Sequence, residues 1–167
     1  MSPVLDAPTS YLSEPPVANL ALVSLASASR AGSDYSCPAL RMTVPTNVAT
    51  ARWFRPVVSR LEGALSLAPG WDSYSALPTT ATEVEAAILF LASFLDHDSA
   101  PPTIVPLPDG GIQLEWHRGG VDVEATFPVA EDAELYIRDI DSGEEVELNP
   151  HESASAQLQE YVDRLRS

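Results

Sequence analysis

Seven side chains in the second half of the chain have types and spacing that suit binding or acid–base chemistry: Gln113, Glu115, His117, Asp122, Glu124, Tyr136 and Arg138. They alternate with apolar residues in Ile112–His117, Val121–Phe127 and Leu135–Arg138. Alternation at period two sends them to one side of a sheet and the apolar residues to the other. Pairing the first two runs through Gly119-Gly120 sets His117 opposite Asp122 and Glu115 opposite Glu124. Two carboxylates facing each other across a ladder repel unless a cation or donor stands between them. Three neutralising partners are open. One is Arg138, which the next hairpin places opposite Glu124. The second is an arginine or lysine from another protein. The third is a divalent ion held by Glu115, His117, Asp122 and Glu124, which would suit a metal-assisted hydrolase. Catalysis wants a concave, water-poor site, and a sheet surface is not one. The expectation is therefore a partner-binding face, with no cofactor, no resident metal and no catalytic residue.

The elements that must position these residues follow from hydrophobic pattern. Thr103–Leu107 and Ile112–His117 flank Asp109-Gly110, a dipeptide suited to a tight hairpin. Leu107 is expected opposite Ile112, Val105 opposite Leu114 and Thr103 opposite Trp116. Pro106 lacks an N–H, so this is expected to be an edge strand. The second hairpin sets Trp116 against Val123 and Leu114 against Ala125. The third sets Ala125 against Ile137 and Phe127 against Leu135. Asp141-Ser142-Gly143 turns into a last strand, Glu145–Leu148. The apolar face then comprises Val105, Leu107, Ile112, Leu114, Trp116, Val121, Val123, Ala125, Phe127, Leu135 and Ile137.

Helices supply the surface that covers it. Trp53, Phe54, Val57, Val58, Leu61, Ala64 and Leu65 recur at three- and four-residue spacing and predict a helix over about 51–67. Pro56 is tolerated only near its start. A second helix is expected over about 83–95, with Thr82 as cap and Glu85 completing a capping box. A third, over about 153–165, carries Leu158, Tyr161, Val162 and Leu165 on one face. The fold class is α+β: an antiparallel meander of four to five strands with helices packed on one face. Residues 1–46 are rich in Pro, Ser and Ala and are read as a mostly irregular tail, with one short ordered piece near Ala18–Leu25. Residues 47–167 form the single domain.

Gly70-Trp71-Asp72-Ser73-Tyr74-Ser75-Ala76 reads as a loop. Trp71 and Tyr74 are expected to pin it to the body, and Asp72 or Ser73 to bond nearby backbone amides. Other groups carry weaker signals. Asp96-His97-Asp98 lies at a helix end, where a histidine also complements the helix dipole. His151-Glu152 opens the last helix. Ser73 has no histidine partner, and Cys37 has no neighbour that would activate it.

The loop motif resembles one found in a scattered group of small, uncharacterised bacterial proteins. They share a Gly-Trp-Asp-x-Tyr-x-Ala loop and a Gly-Gly-x-Gln-x-Glu-Trp hairpin. Here the loop residues are Gly70, Trp71, Asp72, Tyr74 and Ala76, and the hairpin residues are Gly110, Gly111, Gln113, Glu115 and Trp116. The likeness spans roughly 61–145. It implies a bacterial cytoplasmic protein and carries no activity with it.

Charge narrows the function classes. The 167 residues have a formal net charge of -15. Residues 1–82 hold five acids and five arginines, whereas residues 83–167 hold nineteen acids and four arginines. Such a field repels nucleic acid and anionic membranes and attracts basic proteins. All nine basic residues are arginine. One cysteine precludes an intramolecular disulfide and fits a reducing cytoplasm. The mildly apolar run Val17–Ala28 follows Asp6 and Glu14 rather than basic residues, so it is not read as a secretory signal. The leading expectation is a non-enzymatic accessory protein that binds a basic protein, a toxin-neutralising or defence-system role being one version by analogy and charge. A small metal-assisted hydrolase and a structural subunit of a larger assembly are the alternatives.

Overall fold

The computed structural model describes residues 34–37, 40, 42–150 and 156–166, the side chains of 34–37 and 156–158 excepted. Ala18–Leu25 and His151-Glu152 lie outside the described residues, as do the side chains of Cys37 and Leu158. All described residues belong to one unit, Gly32–Ser167.

Five antiparallel strands form the sheet in chain order: β3 (Thr103–Pro106), β4 (Ile112–Arg118), β5 (Val121–Phe127), β6 (Glu134–Asp139) and β7 (Glu145–Leu148). A separate hairpin of β1 (Asp34–Cys37) and β2 (Met42–Pro45) precedes a one-turn helix α1 (Thr46–Ala49). This hairpin falls inside the stretch expected to be mostly irregular. Its strands are four residues long, too short to show alternation between prolines, and Val44 is anchored by burial in the core.

Helix α2 (Phe54–Leu65) buries Phe54, Val57, Leu61 and Ala64. It is shorter than its apolar pattern, because Ala51 and Trp53 are buried from a turn that precedes it. Pro56 sits in the first turn, where amides have no intrahelical partner to lose. Helix α3 (Ala81–Phe94) begins two residues before the expected start, and its cap is Thr80, not Thr82. Thr80 is extended and donates its amide to the Gly110 carbonyl at 3.0 Å, which halts the incoming chain and lets the helix start at Ala81. No side-chain capping bond forms there, so the expected capping box is absent. Helix α4 (Ala156–Arg164) contributes Tyr161 and Val162, with Leu165 just beyond it.

These helices and one face of the sheet share a single core. Ile112, Leu114, Trp116, Val121, Val123, Ala125, Phe127, Leu135 and Ile137 are all buried against Val57, Leu61, Ile88, Leu91, Phe94, Val162 and Leu165. Phe90 and Phe94 stack at 4.8 Å, and Phe94 meets Trp116 at 5.9 Å. The Trp116 indole N–H donates to the Ala100 carbonyl at 3.0 Å, which satisfies its one polar atom inside the core.

Two registers differ from expectation. In the first hairpin Pro106 faces Ile112, Val105 faces Gln113, Ile104 faces Leu114 and Thr103 faces Glu115, a slip of one residue. Val105 and Thr103 therefore lie on the polar side, and Ile104 packs against the core. The cause is the turn. Leu107 N–H donates to Gly111 O and Gly110 N–H to Leu107 O, so five residues, 107 to 111, stand outside the ladder. Asp109 braces that wider turn, accepting Gly111 N–H at 2.9 Å and Val129 N–H at 2.8 Å. In the third hairpin Val123 faces Ile137 and Ala125 faces Leu135, a slip of two residues. A two-residue slip keeps every side chain on its face, so alternation cannot choose between the two registers. The second hairpin has the expected register throughout.

Candidate functional site

The backbone pairing lays the polar residues out as a grid on the sheet side away from the core. One row across the strands reads Thr103, Glu115, Glu124, Tyr136, Glu147. The next reads His117, Asp122, Arg138, Glu145. A third reads Val105, Gln113, Thr126, Glu134. All seven residues singled out from the sequence share this face. Glu134, Glu145 and Glu147 join them. The alternation in Glu-Val-Glu-Leu at 145–148 already carried the signal for the last two.

Arg138 does not stand opposite Glu124. It pairs in register with Asp122, and its Nε lies 3.7 Å from Glu145 Oε1. The Glu115–Glu124 pair is bridged instead by an amide: Gln113 Nε2 donates to Glu115 Oε1 at 3.1 Å and to Glu124 Oε2 at 3.2 Å. A neutral donor relieves lone-pair repulsion but leaves both negative charges in place. The face thus carries six carboxylates (Glu115, Asp122, Glu124, Glu134, Glu145, Glu147) against one guanidinium.

His117 sits at the end of β4 with Nδ1 3.0 Å from Asp122 Oδ1 and Nε2 3.6 Å from Glu115 Oε2. Its ring is more than half exposed, while the two carboxylates are about three-quarters covered, at 28% and 24% exposure. The hydrogen bond to Asp122 raises the imidazole pKa above its ordinary value, aided by the charges of both carboxylates. Surrounding atoms, then the hydrogen bond and charge of Glu145, push the Tyr136 phenol up. Among the described residues, no three His, Cys, Asp or Glu side chains are arranged to hold a metal ion.

The remaining motif residues serve the framework. Asp72 Oδ1 accepts Tyr74 N–H at 2.8 Å and Ala76 N–H at 3.2 Å, and Trp71 Nε1 donates to Leu77 O at 3.1 Å. Tyr74 does not pin the loop: its ring is 87% exposed. Asp72 and backbone bonds close the loop locally, and the left-handed Ser73, at φ 69°, turns the chain without help from the ring. Gly110 and Gly111 are more than turn residues. A Cβ on Gly110 would lie 2.8 Å from Pro78 O, and one on Gly111 2.5 Å from Phe127 O. At the end of α3, His97 contacts Asp98 at 3.2 Å, and Asp96 pairs with Arg166.

The sequence predicts only a turn role for Asp109, yet both its carboxylate oxygens hold backbone amides of separate hairpins. No sequence signal marks the bond to Val129, twenty residues away.

The chain matches no protein-family model, no curated protein and no solved structure.

Proposed function

We propose that this protein is a non-enzymatic binding protein whose outer sheet face engages a basic protein. The observation that supports it is the unneutralised charge of that face: six carboxylates in three rows, one arginine, and a Glu115–Glu124 pair bridged only by an amide. An arriving arginine or lysine relieves repulsion already present, so association lowers the energy of the free face as well as forming new ion pairs. The carboxylates keep part of their hydration, which limits the desolvation penalty. The described helices pack on the opposite side, within the core, and leave this side to a partner. No described helix is long and apolar enough to cross a membrane. The single cysteine and the acidic second half suit a reducing cytoplasm and a protein rather than a nucleic-acid partner.

The test is co-purification from the native host, followed by the Glu115→Arg, Glu124→Arg double variant. The wild type is expected to retain a basic partner, released progressively above physiological ionic strength. A partner held equally well by the double variant would show that another surface binds it.

A further inference from the structure

His117 is the one group in the first two rows of the outer face that changes charge near neutral pH. The others there are carboxylates, a guanidinium and a phenol, whose ordinary pKa values lie well outside that range. Its surroundings can be enumerated. Glu115 stands two residues before it on β4, Asp122 opposite on β5, Arg138 beyond Asp122 on β6, and Glu145 beyond Arg138 on β7. When the imidazole is protonated, this row reads plus, minus, plus, minus. Nδ1 then donates to Asp122 at 3.0 Å, and the protonated Nε2 stands 3.6 Å from Glu115 Oε2, within ion-pair range. When it is neutral, one nitrogen loses its proton, and the carboxylate facing it has no donor from the ring.

We infer that His117 is a proton-operated latch on the acidic face: protonated, it engages Asp122 and Glu115 and withdraws them from an incoming cation; neutral, it releases one of them. The latch rests on the function proposed above, since it regulates that same face. Two effects act in one direction. Protonation adds a positive charge amid the carboxylates, and it occupies their oxygens. A basic partner therefore binds the neutral-imidazole form better, and by linkage its arrival drives the proton off. The raised His117 pKa places the change within reach of physiological pH. The coupling has a ceiling set by how far the partner lowers that pKa, about tenfold in affinity for a shift of one unit.

The experiment uses the full chain and an N-acetylated, C-amidated nona-arginine peptide, whose charge does not change between pH 5.5 and 8.5. Affinity is measured across that range, and the His117 ring resonances are followed by NMR in the same samples. Wild-type affinity is expected to rise several-fold with pH, with a midpoint at the NMR pKa of His117. His117→Gln is expected to flatten the profile, and His97→Gln to leave it unchanged. An imidazole titrating at or below 6.5, or a wild-type affinity that ignores His117 titration, overturns the latch. If binding is flat with pH yet lost in Glu115→Arg, Glu124→Arg, the latch fails while the acidic face stands. If that double variant binds as well as wild type at every pH, the face itself fails.

Discussion

Arg164, the last residue of α4, forms an ion pair with Asp139 at the end of β6, and its Nε and Nη2 also donate to the carbonyls of Gly119 and Gly120. One side chain thereby ties the last helix to two hairpin ends. The amides of Ser142 and Asp141 also donate to Asp139. The Ser142 amide, then Arg164, holds the Asp139 carboxyl at about 2, below its ordinary 3.8. A carboxylate depressed in the folded state stabilises above its unfolded pKa and loses that contribution as pH falls through its folded one. Asp139→Asn is therefore expected to lower the melting temperature at pH 7, and the gap to wild type should close between about pH 4 and 2. Thermal unfolding across that range checks it.

The same junction makes Gly119 irreplaceable. Its φ is +62°, and a Cβ there would lie 2.3 Å from the Arg164 carbonyl oxygen, a backbone atom that cannot step aside. Gly119→Ala is expected to destabilise by about 1–3 kcal/mol through overpacking, beyond the left-handed strain of about 1 kcal/mol. Gly143 has a similar φ of +72° but open space around it. Gly143→Ala should cost only the left-handed strain, about 1 kcal/mol. Urea unfolding of the two variants separates sterics from strain.

Trp116 is buried by Phe94 and bonded to Ala100. Trp116→Ala is expected to cost about 3–5 kcal/mol. Trp116→Phe keeps most of the packing but strands the Ala100 carbonyl, at about 1–3 kcal/mol. A Trp116→Phe variant as stable as the wild type, measured by denaturant unfolding, would show that the hydrogen bond contributes nothing.

Glu83 lies in the first turn of α3 with its Oε2 buried and without a hydrogen-bond partner. Burial, and then the charge of Asp109, raise its pKa, against the pull of its own backbone N–H. The charged form is penalised in the folded state, so stability from this group is greatest below its unfolded pKa and falls as pH rises through the folded one. Glu83→Gln is expected to stabilise at pH 7 and to be neutral near pH 4. A variant less stable than wild type at both values would mean that the carboxylate has a partner.

In the Trp71–Ala76 loop, Asp72→Ala is expected to cost about 1–2 kcal/mol, because two amides lose their acceptor. Tyr74→Ser should change stability by less than about 0.5 kcal/mol. Melting curves of both variants test whether the carboxylate rather than the ring holds the loop.

How much of this was legible varies with the range of the interaction. Alternation in β4 and β5 identified the core face, from Ile112 to Phe127, and the polar face, from Gln113 to Glu124, because a strand has only two sides. The short Gly119-Gly120 turn made the β4–β5 register equally plain. The wider turns escaped. Five residues loop out at 107–111 because Leu107 bonds Gly111 and Gly110 within the turn, which Asp109 braces through Val129, and the β5–β6 register could shift by two with no change in which residues are buried.

The residue pattern by itself determined the class of fold, the side of the sheet on which each central residue lies, and the concentration of negative charge in the second half of the chain. Those depend on periodicity and composition, which are local. Only the tertiary structure decided that Arg138 stands opposite Asp122 and pairs with Glu145 rather than Glu124, that Gln113 bridges the two glutamates, and that Arg164 locks the hairpin ends. Those depend on turn length and on contacts between residues far apart in the chain, for which a single sequence has no periodic signature.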